Sequence, residues 1–254
     1  MNKRHYASLI WHRAYMFLKA DSATYYLGSL WWLLEPLIYL SAFYIIFGLV
    51  MKRGDGIEFV GFLLCGLVYF KWFSTSISMS ARSIVNNASL INQIYLPKIV
   101  FPLIDMACCT LRFAMVLAVF LPFMVIIAGI SEVWLALPLV MLVQAVFTVG
   151  AGLFMSFMIP IYPDLQKVLD NFMMLLFYLS GVFFDISKSS EKVQAILKLN
   201  PMAVLLHEYR QILLYEQWPD WQILGTIGLF SALLLAFSVY LLTLYDRKLP
   251  YYLD

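Results

Sequence analysis

The sequence predicts an all-α integral membrane fold with six membrane-spanning helices, and three observations carry that reading. Of 254 residues, 63% are hydrophobic and 13% charged, whereas a soluble domain carries about 25% charged residues. Mean hydropathy is +0.84. The apolar residues also fall into long runs, separated by short segments that hold nearly all the charge. A hydrocarbon core about 30 Å thick needs roughly 20 apolar residues in a helix. Five runs meet or approach that length: 27–51, 60–80, 100–130, 133–161 and 221–245. A sixth, Asn171–Phe184, reaches it when the helix starts at Leu165, which gives 165–184. A chain of this size holds one such bundle, a single transmembrane domain over 1–254, with no soluble domain expected at either end. A net charge of +2 does not point to nucleic acid.

Residues 2–22 lack the continuous apolar core and small-residue cleavage site of a signal peptide. They show helical periodicity instead. Tyr6, Leu9, Ile10, Ala14, Phe17 and Leu18 cluster on one side, with His5, Ser8, His12 and Lys19 opposite and Arg13 an exception on the apolar side. This predicts an amphipathic helix lying in the membrane interface, as an anchor or as a docking surface for a partner.

Charge sets the orientation. With six spans, the side of the termini holds nine basic residues: Lys3, Arg4, Arg13, Lys19, Arg82, Lys98, Lys167, Arg247 and Lys248. The opposite side holds six, namely Lys52, Arg53, Lys188, Lys192, Lys198 and Arg210, most of them in one long segment. Both termini are therefore expected in the cytoplasm.

The connecting segments are unequal. On the outer side, Lys52–Glu58 is short and the turn at Ser131 and Glu132 is tight. Asp185–Asp220 is much longer. Its spacing predicts two short amphipathic helices broken at Asn200-Pro201, acting as a re-entrant pair or cap, or forming an ordinary surface hairpin. On the inner side, Ser83–Pro102 carries Asn86, Asn87, Asn92 and Gln93, then Pro97 and Pro102. This predicts a short helix across the inner mouth that ends at Pro97. Asp164 is placed to N-cap the fifth span.

Charges within spans are expensive in lipid. Glu35, Lys71, Asp105 and Arg112 either line a polar pathway or bind an anionic substrate, or else snorkel or pair between helices. Asp105 and Arg112 are two turns apart on one face, so a pairing needs another helix or water. Aromatics make up 17% of the chain. Tyr39, Phe43, Tyr44, Phe177 and Tyr178 fall mid-span, where their faces suit sugar rings as well as packing. Cys65, Cys108 and Cys109 read as small buried hydrophobes, not as a disulfide frame or metal ligands. The sequence contains no HExxH, GxSxG or glycine-rich phosphate loop. If the chain performs energy-driven transport, its nucleotide site must belong to another chain.

These residues resemble the permease subunit of ABC-2-type exporters of bacterial polysaccharides: O-antigen, capsule and teichoic acid. The stretch from Tyr26 to Leu37 (YLGSLWWLLEPL) is similar to the family's G-x-L-W-x-x-L-x-P approach to the first span. Leu64-Cys65-Gly66-Leu67 with Trp72-Phe73 resembles its second span. Asn87-Ala88-Ser89-Leu90-Ile91, then Tyr95-Leu96-Pro97-Lys98 and Pro102, resembles its cytoplasmic N-x-x-L-I…F-P-R-x-x-x-P stretch, with Leu96 for the usual Phe and Lys98 for the usual Arg. Pro163-Asp164 stands where the family often has Arg-Asp, and Asn200-Pro201 matches the N-P of its outer segment.

The resemblance implies a homodimer of this chain with two ATPase subunits that hold ATP and Mg. The chain itself would have no catalytic residue, metal or cofactor. The helix over 2–22, through His12 and Arg13, and the segment 83–99, through Asn87, Leu90, Ile91, Pro97 and Lys98, would dock on the ATPases. The first and fifth spans would line a channel, with Tyr39, Phe43, Tyr44, Phe177, Tyr178 and Arg112 as candidate contacts. The helices within 185–216, with Asn200, Pro201, His207, Glu208 and Arg210, would form a periplasmic gate. The substrate would be an undecaprenyl-linked polysaccharide leaving the bacterial inner membrane. Lipid or drug export is an alternative. A membrane-embedded transferase is a further one, but the acidic or His cluster it would need is missing.

Overall fold

The computed structural model describes all residues except 1, 2, 25, 47–56, 94, 187–189, 253 and 254. The described residues form ten α-helices and contain no strand. They are α1 (Lys3–Thr24), α2 (Leu30–Phe43), α3 (Ile57–Asn86), α4 (Ala88–Gln93), α5 (Val100–Ala128), α6 (Leu137–Ile161), α7 (Leu165–Leu179), α8 (Glu191–Leu197), α9 (Pro201–Leu213) and α10 (Trp221–Leu244). Short 3-10 turns at Glu132–Ala136 and Leu249–Tyr252 lead into α6 and close the chain. Helices are the expected solution, because backbone polar groups in lipid must be satisfied within their own segment.

Four helices are long and apolar enough to cross a membrane: α3, α5, α6 with the turn before it, and α10. The expected first and fifth spans are shorter. α2 has 14 residues and α7 has 15, so at 1.5 Å per residue α7 covers about 22 Å. The end of the first span past Ile46 and the first outer loop up to Gly56 lie outside the described residues, and Ile57 and Glu58 of that expected loop begin α3. α3 continues to Asn86 and takes in the first residues of the expected coupling segment. The helix after it ends at Gln93, four residues short of Pro97. Asp164 occupies the position before α7, but its side chain makes no capping bond there. Its carbonyl instead accepts from Lys167 N at 3.1 Å.

α3 is the hub. It packs against α2, α5, α6, α7 and α9, and 61% of its most apolar window is buried, against 22% for α5 and for α10. Small and polar residues let the helices approach, as lipid-embedded packing requires. Gln144 of α6, fully buried, donates to the Tyr69 carbonyl of α3 at 3.0 Å. Ser238 of α10 donates to the Gly150 carbonyl of α6 at 2.9 Å.

The segment after α7 is the main departure from a simple bundle. α8 and α9 break at Asn200-Pro201 as the sequence predicts. Asn200 accepts from Met202 N at 3.0 Å and donates to Ser180 Oγ at 2.9 Å, and Pro201 takes the first helical turn. α9 is no surface hairpin. Ten of its 13 residues are buried, and Tyr209 stacks on Tyr69 with ring centroids 3.6 Å apart at 6°.

Arg210 holds this arrangement. It is 2% exposed and donates to the carbonyls of Gly181 (2.8 Å), Val182 (3.0 Å) and Phe62 (3.3 Å). Its guanidinium lies 3.5 Å from the Phe62 ring centroid. Gly181, with φ +69, turns the chain after α7, and Gly66 provides the space for the guanidinium. A Cβ at position 66 would stand 2.6 Å from Arg210 Nη2 and 3.2 Å from Val182 Cα. Gly66→Val should therefore lower stability by about 3 kcal/mol, read as a depressed thermal midpoint of the detergent-solubilised protein. Gly225→Ala in α10, where a Cβ meets nothing within 4 Å, should be neutral or raise stability by up to about 1 kcal/mol.

Candidate functional site

A groove lies between α7, α2 and α3, while Leu169 and Met173 of α7 are buried against the bundle. The groove has a volume of about 390 Å³. Its apolar walls include Tyr39, Phe70, Phe177 and Tyr178. Its polar floor includes Ser74 and Ser78 of α3.

Each wall is tied to the floor by an ion pair. Lys71 of α3 meets Glu35 of α2 at 2.7 Å, with side chains 44% and 48% exposed, and its ammonium lies 5.6 Å from the Tyr39 ring centroid. Arg82 of α3 donates to both carboxylate oxygens of Asp170 on α7, the longer contact being 2.6 Å. Lys71 and Arg82 are eleven residues, about three turns, apart on one face of α3, so both cations project towards the same side. Exposed pairs of this kind contribute little to stability; their effect here is to fix the spacing of the two walls.

The channel residues expected from sequence are partly brought together. Tyr39, Phe177 and Tyr178 share this groove. Tyr44 is half-buried in the turn that follows α2, and the side chain of Phe43 lies outside the described residues. Arg112 is elsewhere: it donates to Asp21 of α1 at 2.9 Å and lies over the Trp32 ring. The partner for Arg112 thus comes from another helix, as its distance from Asp105 requires.

The residues expected at the inner end divide into two groups. His12 and Arg13 are exposed on α1, which packs on α5 through Ala14, Leu18 and Cys108. Phe17, on the apolar side expected to meet the membrane, is 45% exposed. Asn87 starts α4: its carbonyl accepts from Leu90 N and Ile91 N at 3.1 and 3.0 Å. Leu90 and Pro97 are half-buried, whereas Ile91 and Lys98 are buried at 6% and 2% exposure. Ser89, Asn92 and Gln93 form the exposed face of α4.

Sequence reasoning missed what holds α4 in place. Asp246, just beyond α10, accepts from Lys98 N at 2.7 Å and from Tyr95 Oη at 2.8 Å. The Asp246 contact raises the Tyr95 phenol above its ordinary value. Leu249 is fully buried in a cluster with Ile84, Ile91, Phe101 and Phe157. A separation of 151 residues between Tyr95 and Asp246 leaves no local signal of the contact.

At the other end of the bundle, Glu208 accepts from Asp220 N at 3.1 Å and His207 contacts Gln211 at 3.1 Å. Burial pushes the Glu208 carboxyl up and the His207 imidazole down. Among the described residues no three His, Cys, Asp or Glu side chains gather as metal ligands, and the three cysteines are free and buried.

The described residues thus form a helical bundle with four helices able to cross a membrane and an open groove beside α3. Comparison with known proteins gives its family. Residues 93–214 match the ABC-2 type transporter family. The polysialic acid transport protein KpsM of Escherichia coli is 30% identical over 190 residues, 73% of each chain. The O-antigen export system permease protein RfbA of Klebsiella pneumoniae is 29% identical over 198 residues, 77% of this chain and 76% of the relative. RfbA of Myxococcus xanthus is 27% identical over 225 residues, covering 86% and 85%. The chain belongs to the ABC-2 type transporter family of membrane permeases.

Asp246→Ala removes both acceptors that hold the α4 bend. Amide hydrogen exchange over residues 88–98 should then rise about tenfold, with α3 and α5 unchanged. Equal protection in the two proteins would show that the tail does not hold α4.

Proposed function

We propose that this chain is the membrane subunit of an ATP-driven exporter that carries a lipid-linked polysaccharide, an O-antigen or related glycan, across the bacterial inner membrane. Two copies work with two ATPase subunits, which supply ATP and Mg. Both termini lie in the cytoplasm. α1 and the exposed face of α4 receive the ATPases, and the segment with α8 and α9 closes the periplasmic end. α2 and α7 act as the first and fifth of six membrane segments and form the wall along which the glycan moves.

The observation that carries this reading is the groove in which Tyr39, Phe177 and Tyr178 stand beside the Glu35–Lys71 and Arg82–Asp170 pairs. Sugar rings present apolar C–H faces and polar edges, and this lining answers both. A deep closed pocket would hold a polymer in place; an open groove with weak aromatic contacts lets it slide. The named activities of the RfbA and KpsM relatives support a glycan over a drug or a simple lipid.

The test is complementation of a strain lacking this chain. The parent chain with its ATPase should restore glycan at the cell surface. Tyr39→Ala with Tyr178→Ala should lower export about tenfold, with glycan accumulating inside and ATP hydrolysis by the purified complex kept within about twofold. Export at the parent level would remove the groove from the pathway. Export without the ATPase would refute the reading as a whole.

A further inference from the structure

The basic side chains of α3 and α5 are all held by the chain's own carboxylates. They are Lys71, Arg82 and Arg112; α2, α6 and α10 have none. Lys71 is paired with Glu35 at 2.7 Å and Arg112 with Asp21 at 2.9 Å. Arg82 donates to both carboxylate oxygens of Asp170. On α7 the basic residue is Lys167, exposed one turn before Asp170 and outside the lining of the groove.

Two of these pairs border the groove. The charged side chains of its lining are Glu35, Lys71 and Asp170, one cation and two carboxylates. Arg82 balances the second carboxylate by holding Asp170. A polymer moving along this surface therefore meets no net positive charge among the described residues.

That balance discriminates between glycans. A sugar hydroxyl both donates and accepts, and an ionised carboxylate has about four acceptor sites. Hydroxyls can thus donate to Glu35 or Asp170 and exchange bonds with Ser74 and Ser78 of the floor while both ion pairs stay in place. A carboxylate or phosphodiester on the glycan only accepts. It must draw Lys71 from Glu35 or Arg82 from Asp170, and the carboxylate left behind then repels it. Breaking a pair in this way is costly where water is limited. In a polymer the cost returns with every repeating unit.

We propose that the groove passes a glycan whose repeating unit is uncharged, and that the Glu35–Lys71 and Arg82–Asp170 pairs exclude polyanions. The inference rests on the function proposed above and deepens it by naming the class of polymer. Exposed at the inner end of α7, Lys167 is screened by solvent and does not reverse the selection.

The experiment starts from the glycan that a strain lacking this chain retains inside. It is released from its lipid, and its charge per repeat is measured by anion-exchange chromatography and NMR. Part of it is carboxymethylated at its hydroxyls, so that the two probes share one backbone and differ in charge. Binding of both to the purified permease–ATPase complex is then measured. The native repeat should contain neither carboxylate nor phosphate, and should bind at least about tenfold more tightly than the carboxymethylated sample. Glu35→Gln with Asp170→Asn leaves Lys71 and Arg82 without carboxylates. It should raise affinity for the carboxymethylated glycan about tenfold, and added salt should abolish the gain; loosened walls alone would give no such salt dependence. Asp170→Asn alone should give about a threefold gain and serves if the double variant misfolds. An anionic native repeat, equal binding of the two probes by the parent, or no gain in a folded variant overturns the proposal and leaves the export reading standing. If the strain retains no glycan and its surface glycan is unchanged, the export reading falls and takes this inference with it.

Discussion

The buried guanidinium of Arg210 is the contact on which the rest of the architecture depends. Removing such a charge from water is expensive and needs close compensation. Here the compensation is three backbone carbonyls and an aromatic face, all from residues outside α9. The carbonyls of Gly181 and Val182 belong to the chain leaving α7, and that of Phe62 belongs to α3. A single side chain therefore fixes where α7 stops, seats α9 in the core and joins both to the hub helix. Gly66 and Gly181 serve this arrangement, one by making room and the other by turning the chain.

The groove runs along the face of α3 where Lys71 and Arg82 emerge. That face is bordered by α2 and α7, each joined to it by one ion pair, and its aromatics are partly exposed. Charges at this depth are expected to be paired, and these are.

Much of the fold was legible in the sequence because lipid allows few solutions. Apolar runs marked α3, α5, α6 and α10, although α3 continues six residues past the expected end at 80, and Asn200-Pro201 marked the break before α9. The aromatics Tyr39, Phe177 and Tyr178 were identified as a group, although nothing local could show that they share a groove. Periodicity failed where tertiary contacts decide. α7 ends early because Arg210 captures the carbonyls after it, and Arg210 looks like an ordinary basic residue of an outer loop. Ile91 and Lys98 lie in a segment read as partner-facing, yet both are buried, because Asp246 and Leu249 return from the far end of the chain to cover them. Arg112 takes its carboxylate from α1, 91 positions away, a contact that nothing local in the sequence marks.

The central claim, that Arg210 sets the end of α7 and joins it to α3, is tested most directly by a distance between the two helices. Spin labels at Leu179 and Ile57, both exposed, report the end of α7 relative to the start of α3 by pulsed electron–electron resonance. With Arg210 present, the distance distribution should be single and narrow. With Arg210→Ala it should broaden and shift as the chain after α7 comes loose. Identical narrow distributions in the two proteins would contradict the account.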